Sequence, residues 1–363
     1  MRIAIIAPLV TPIREPQRGG SQSVVADLAR GLTERGHAVE LYAATGSAIS
    51  GVTVIDTGVK AESLAGLLYR ADGPQPADDG IGEQAFRTVY EAVRRVPYDV
   101  VHNHAFDAPA VRGAMEVDWP VVHTLHLPPD PAMTAALNDA RRSVKPPIVA
   151  AVSASSAEAW QRVVRIDVVL HNGVPIDRIP WSDKRGSGLL FAGRFSPEKG
   201  AADAIAIAQQ ADQPLDLYGE AYDEEYFREQ IEPHAKDRGV TLRGSVPRTE
   251  LWSAMARCLA VVYPAKWDEP FGMAAAEAQA AGTPVVAYDA GALPEVIADG
   301  KTGFLVRPGD IAGAARAAAE VASIDRANCR RHAEATLNLD DTVAAHEALY
   351  RQIQARARAT WHG

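Results

Sequence analysis

The chain predicts an α/β protein made of two doubly wound units, each a parallel sheet wrapped by helices. Its 363 residues are enough for about two domains. Each half opens with a short apolar run, then a glycine-containing loop, then a helical stretch: RIAIIA at residues 2–7 and GLLFA at 188–192. Further short apolar runs recur through both halves, with helical segments between most of them. The expectation is two Rossmann-like domains facing each other, at 1–178 and 188–340. Residues 175–187, with Pro175 and Pro180, read as the linker.

In the first half, residues 2–7 are apolar enough to be a strand buried on both faces. Gly19-Gly20 introduces a helix carrying Val24, Val25, Leu28 and Leu32 at helical spacing, and Gly36 ends it. A strand at 38–43 completes a βαβ unit. The Gly-Gly pair lets backbone approach a ligand at the helix start, but it is not the G-x-G-x-x-G of a dinucleotide site. Residues 74–82 (PQPADDGIG) read as a polar surface loop. Strands follow near 100–102, 121–124 and 148–153, and Ser155 and Ser156 are candidate caps for a helix running to Val164. In the second half, strands are expected at 188–192, 215–218, 240–242, 259–263, 284–288 and 303–306. Leu339 to Ala357 has helical spacing at Val343, His346, Leu349 and Tyr350.

Composition narrows the function classes. Net charge is −9 with no long basic run, which argues against nucleic acid as a main partner. The two cysteines, Cys258 and Cys329, fit a reducing compartment and do not have metal-ligand spacing. The apolar N-terminus is short and soon meets Pro8 and Pro12, so it reads as a strand and not as a signal peptide. No stretch approaches the ~18 apolar residues that cross a bilayer. The expected location is cytoplasmic. Peripheral membrane contact and oligomeric state stay open.

Chemistry concentrates between Ala265 and Pro284, AKWDEPFGMAAAEAQAAGTP. Strong helix formers followed by Gly282 and Pro284 place Glu277 in the second turn of a short helix and Glu269 in the loop before it. Unpaired amides near Gly272 and Met273, with the helix dipole, suit an anion such as phosphate. Carboxylates beside a phosphate site accept hydrogen bonds from hydroxyls, as on a sugar or ribose. Arg194 and Lys199, five residues apart directly after a strand, can place two cations on one diphosphate. Two solvated surface cations are the plainer reading of that pair.

Histidines cluster at His102, His104, His123 and His126. One reading is a metal-dependent hydrolase built on His102, His104 and His126, since an H-x-H pair at a strand end can ligate zinc. It would need further ligands from later strand ends. A second reading puts one histidine at a ligand cleft, and for His102 and His123 an ordinary core role is favoured.

E-P-F-G, the alanine-rich glutamate helix and A-G-T-P-V-V-A resemble the signature of the family-4 retaining glycosyltransferases, which have the GT-B fold. G-R-x-x-x-x-K-G at Gly193–Gly200 and N-G-V at Asn172–Val174 extend the resemblance over nearly the whole chain. It implies a terminal helix, about 342–363, that returns to the first domain. It implies that Gly19, Gly20, Arg194, Lys199, Phe271, Gly272 and Met273 surround the donor diphosphate. The segment with Gly244 and Val246 would hold the base, Glu269 the transferred sugar and Glu277 the ribose. His126 would contact the transferred sugar and support catalysis together with Glu269, Arg194 and Lys199, with His104 as the second choice. Gly291 is a candidate equally for approaching the sugar and for shaping a helix entry. The implied activity is transfer of a hexose from a nucleoside-diphosphate sugar, UDP-glucose by default and GDP-mannose as rival, to a small-molecule, glycan or lipid acceptor. No cofactor or metal is expected, because the chain holds no D-x-D. A non-catalytic nucleotide-sugar binding protein and a related epimerase or phosphorylase are the remaining alternatives.

Overall fold

The computed structural model describes residues 1–17, 19–67 and 80–361. The chain forms two compact units. The first comprises Met1–Arg14, Ser21–His171 and Leu339–Gly363; the second comprises Glu15–Gly20 and Asn172–Asn338.

The first unit runs β1 (Arg2–Ile6), α1 (Gly20–Glu34), β2 (Ala38–Ala43), β3 (Thr53–Asp56), α2 (Ile81–Val93), β4 (Val100–Asn103), α3 (Ala108–Ala114), β5 (Val121–Leu125), α4 (Pro131–Ala140), β6 (Ile148–Ala151), α5 (Ala154–Gln161) and β7 (Val168–Val169). Its parallel sheet has the order β3-β2-β1-β4-β5-β6-β7. Alternation along β1 explains its unbroken apolar run. Ile3 and Ile5 join a core with Val25, Leu28 and Leu32 of α1, while Ala4 and Ile6 join another with Phe86, Val89 and Val93 of α2.

The second unit runs β8 (Leu189–Ala192), α6 (Ala201–Gln210), β9 (Leu215–Tyr218), α7 (Glu224–Tyr226), β10 (Val240–Gly244), α8 (Arg248–Arg257), β11 (Ala260–Tyr263), α9 (Met273–Ala280), β12 (Val285–Tyr288), α10 (Leu293–Val296), β13 (Gly303–Val306), α11 (Ile311–Glu320) and α12 (Arg326–Thr336). Its parallel order, β10-β9-β8-β11-β12-β13, repeats the first unit's logic. The last helix, α13 (Leu339–Trp361), belongs to the first unit. Its Val343, Tyr350 and Ile353 enter the α1 side of that core, and Glu347 pairs with Arg35 at 2.8 Å.

Several expectations need adjusting. The strand β3 was not anticipated; it is a four-residue edge strand without a buried residue, so the apolar signal is weak. Helix α5 is capped by Ser153, whose hydroxyl accepts from the Ser156 amide at 2.9 Å, and it ends at Gln161. Residues 175–187 include no free-standing linker at their start: Ile176 and Ile179 are buried, and Val174 donates to the Leu337 carbonyl at 2.8 Å. Of the loop expected at 74–82, residues 74–79 lie outside the described residues, and Ile81 and Gly82 open α2. Burial pushes both thiols, Cys258 and Cys329, up to about 12. Among the described residues no helix is long and apolar enough to cross a membrane.

Candidate functional site

In an open parallel sheet, ligands bind beyond the carboxyl ends of the strands where the strand order reverses. In the second unit that point lies between β8 and β11, which pair with each other while their crossovers run in opposite directions. The loop after β8 carries Arg194 and Lys199; the loop after β11 carries Glu269. The sequence therefore delivers its most charged loops to one place.

Neither cation stands alone. Lys199 Nζ lies 2.7 Å from Glu269 Oε2 and 4.5 Å from the centre of the Trp267 ring. Trp267 Nε1 donates to the same carboxylate oxygen at 2.8 Å. Arg194 lies 3.4 Å from Glu198 and stacks over Tyr222 at 4.1 Å. The picture of two bare surface cations is thus corrected: each has a carboxylate and an aromatic face. Burial alone would raise the Glu269 carboxyl. The Lys199 charge, with hydrogen bonds from Lys199, Trp267 and Tyr263, outweighs burial and holds it below its usual value. The Tyr263 phenol goes the other way, well above its usual value, through burial and then the Glu269 charge.

Glu269 is fixed through its backbone as well. Its carbonyl accepts from the Ala292 amide at 2.8 Å. Gly291, at φ +56°, passes so close that a Cβ there would sit 2.3 Å from the Glu269 nitrogen. A residue with a side chain does not fit there, so Gly291 lets its own backbone pass beneath Glu269. Gly272, at φ +96°, turns the chain into α9 with no side-chain cap. Phe271 and Met273 beside it are buried.

Helix α9 is buried almost all round, so Glu277 is a buried carboxylate. Arg248, the first residue of α8 and itself buried, meets Glu277 Oε1 through Nε at 3.1 Å and Nη2 at 2.8 Å. Its guanidinium lies over the Trp252 ring at 4.7 Å, and its amide donates to Glu15 at 3.2 Å. Gly20 lies against Met273, whose Cγ would be 3.2 Å from a Cβ at that position; Gly19 immediately precedes α1. Gly244, at the end of β10, is exposed and Val246 half-buried. Two buried glutamates, each held by one cation under one indole, thus lie eight residues apart in one stretch.

The histidines belong to the first unit. His104 Nδ1 and His126 Nε2 are 2.9 Å apart, and the His102 ring stacks on His104 at 3.9 Å. His102 also bonds Tyr350 and, at 2.7 Å, Thr124. His346 of α13 joins the group at 5.4 Å from His102. All are buried. Burial, reinforced by neighbouring imidazoles, drives His102 and His104 well below their usual value and takes His126 to about 4; burial alone takes His346 to about 4 against its bond to the Thr342 carbonyl. His102 is the satisfied core histidine expected. His123 is not: neither ring nitrogen has a hydrogen-bond partner. The geometry of the cluster gives the metal-hydrolase reading no support. The rings face one another and hydroxyl partners, and among the described residues no group of three His, Cys, Asp or Glu is arranged to hold a metal.

Sequence reasoning missed Arg248, Trp252, Trp267, Tyr263 and Glu15. Trp267 alone had a local signal, two residues before Glu269. Arg248 and Glu277 are 29 residues apart, and only the fold joins them.

A family model described as glycosyl transferases group 1 matches residues 179–336, and one described as glycosyltransferase family 4 matches residues 18–178. Glycogen synthase of Mycobacterium tuberculosis is 31% identical over 262 residues, 65% of this chain; the match spans 63% of that relative, less than two thirds of its length. Phosphatidyl-myo-inositol mannosyltransferase of Mycolicibacterium smegmatis is 30% identical over 339 residues, covering 87% of this chain and 83% of that protein. The crystal structure of Anabaena HepE in complex with UDP and glucose shares the fold, with TM-score 0.74 at 21% identity, covering 96% of this chain and 99% of that one.

Proposed function

Because the chain belongs to glycosyltransferase family 4 and has the GT-B fold, we propose that it transfers a hexose from a nucleoside-diphosphate sugar to an acceptor hydroxyl with retention of configuration. The observation that carries this reading is the convergence, at the switch point of the second unit, of Lys199–Glu269, Arg248–Glu277 and the uncapped start of α9. Arg194, Lys199 and the amides around Gly272 and Met273 take the diphosphate and stabilise the charge that grows as it leaves. Lys199 exchanges part of its contact with Glu269 for phosphate oxygens, and Glu269 then accepts from hydroxyls of the transferred sugar. Glu277 accepts from the ribose. Gly20 closes on the start of α9. The Gly244–Val246 segment takes the base. His126, with His104 bonded to it, is the histidine we assign to the transferred sugar.

The leaving phosphate takes the acceptor's proton, so no nucleophile from the protein enters the reaction. The cations supply the charge compensation, and no metal is required. UDP-glucose is the preferred donor type, supported by HepE's complex with UDP and glucose. GDP-mannose is the rival, supported by the mannosyltransferase relative. The acceptor is a small molecule, glycan or lipid. Two buried, unbridged thiols fit a cytoplasmic site of action.

A thermal-shift screen of UDP- and GDP-sugars, with and without EDTA, tests the reading. Stabilisation by one donor, unchanged by EDTA, followed by release of its nucleoside diphosphate with acceptor, is expected. Binding without any release over a panel of acceptors would leave a sensor, and no binding at all would remove the donor site.

A further inference from the structure

We propose that Arg248 is a positioning residue for Glu277, and that through it the protein selects donors bearing both ribose hydroxyls. The inference rests on the reading of Glu277 as the ribose acceptor. Glu277 and Arg248 are 4% and 8% exposed. The two guanidinium bonds to Glu277 end on Oε1, at 3.1 and 2.8 Å. Oε2 takes no hydrogen bond among the described residues, so its lone pairs remain for hydroxyl donors. The planar fork fixes the plane of the carboxylate as well as its charge. Arg248 is itself pinned by the Trp252 face and by the bond from its amide to Glu15. Without that fork, a carboxylate this deep in an alanine-rich helix would lose the partner that fixes its plane, and with it its aim at a ribose hydroxyl. The sequence gives Arg248 no motif, and its placement at the first position of α8 is what brings the fork to Glu277.

The test compares affinities for UDP and 2′,3′-dideoxy-UDP by calorimetry, or the GDP pair if GDP is the nucleotide that binds. The proteins are the full-length chain and its Arg248→Lys, Arg248→Met and Glu277→Gln variants. Wild type is expected to prefer the ribonucleotide by on the order of 10-fold or more, the size of a lost partner for a buried charged acceptor. Arg248→Met should bring that ratio to within about threefold of unity while the dideoxy affinity changes little, and Arg248→Lys should fall between. Loss of discrimination in Glu277→Gln with wild-type discrimination in both Arg248 variants overturns this inference and leaves the ribose reading standing. Wild-type discrimination in Glu277→Gln overturns the ribose reading and this inference with it. If Arg248→Met shows no cooperative unfolding transition, Arg248→Lys decides alone, and an unchanged ratio there counts against the proposal.

Discussion

Lys199 and Glu269 each neutralise a charge that the other's surroundings would penalise. Removing one leaves the other buried and unpaired, which costs more than the net value of the pair. Lys199→Ala is therefore expected to lower kcat about 10²-fold or more, as loss of an oxyanion donor does. The sign of the pH effect follows from the pair. Glu269 is held below its usual value by Lys199, so without the lysine it protonates at higher pH, and the acid limb of the kcat profile moves upward. An unmoved limb with wild-type kcat would exclude the role. Gly291→Ala adds a Cβ 2.3 Å from the Glu269 nitrogen at a left-handed backbone position, with a cost of at least about 1 kcal/mol for the backbone alone. Both denaturant midpoint and turnover should fall. A variant as stable and active as wild type would show that the Glu269 backbone can yield. Glutamate spacing and the cations were legible in the sequence because both lie within short windows. Their partners were not: Lys199 reaches Glu269 across 70 residues, and that reach exists only after β8 and β11 pair.

At the scale of elements, strands buried on both faces announced themselves as continuous apolar runs: β1 begins where that signal begins, and β8 one residue after it. The edge strand β3 has no such signal. Helix α9 was legible from Ala-rich composition and its Gly-Thr-Pro stop, yet its burial was not, since an alanine stripe reads the same in water as in a core. What packs over α9 is α12, anchored by Arg326. That buried guanidinium donates to the carbonyls of Ser182, Ala256 and Cys258 and to Thr283 Oγ1. Arg326→Ala strips partners from four acceptors, three of them buried, and a loss of about 3 kcal/mol or more in chemical denaturation is expected. A loss under about 1 kcal/mol would show that the carbonyls find other donors. Helix α13 had helical spacing, but the spacing did not reveal that His346 and Tyr350 complete a histidine cluster begun on β4 and β5.

Across the molecule, that cluster and Glu269 respond to acid in different windows. The five buried histidines titrate below their usual ~6.5, with His126 and His346 at about 4 and His123 at about 3. The unfolded chain therefore binds protons first as pH falls. Histidine-linked stability is complete above about 6.5 and declines down to the folded values. At pH 5 one such histidine, titrating alone, costs about 2 kcal/mol. The Glu269 carboxyl is also depressed, but from the carboxylate range, so its contribution is full above its ordinary value and declines only as pH falls from there toward the folded one. Calorimetry from pH 7 to 5 should show Tm falling before the carboxylates titrate, with a shallower slope in His346→Gln. A Tm flat over that range would mean that the folded rings take up protons as readily as the unfolded ones.

The assignment of Glu15–Gly20 to the second unit and of Leu339–Gly363 to the first has a practical corollary for recombining relatives of this protein. A chimera joined at a single crossover near residue 171 parts Glu15 from Arg248 and Gly20 from Met273, and strips Val343 and Tyr350 from the sheet they cover. A workable exchange moves residues 15–20 together with 172–338 as one cassette and leaves the terminal helix with its host.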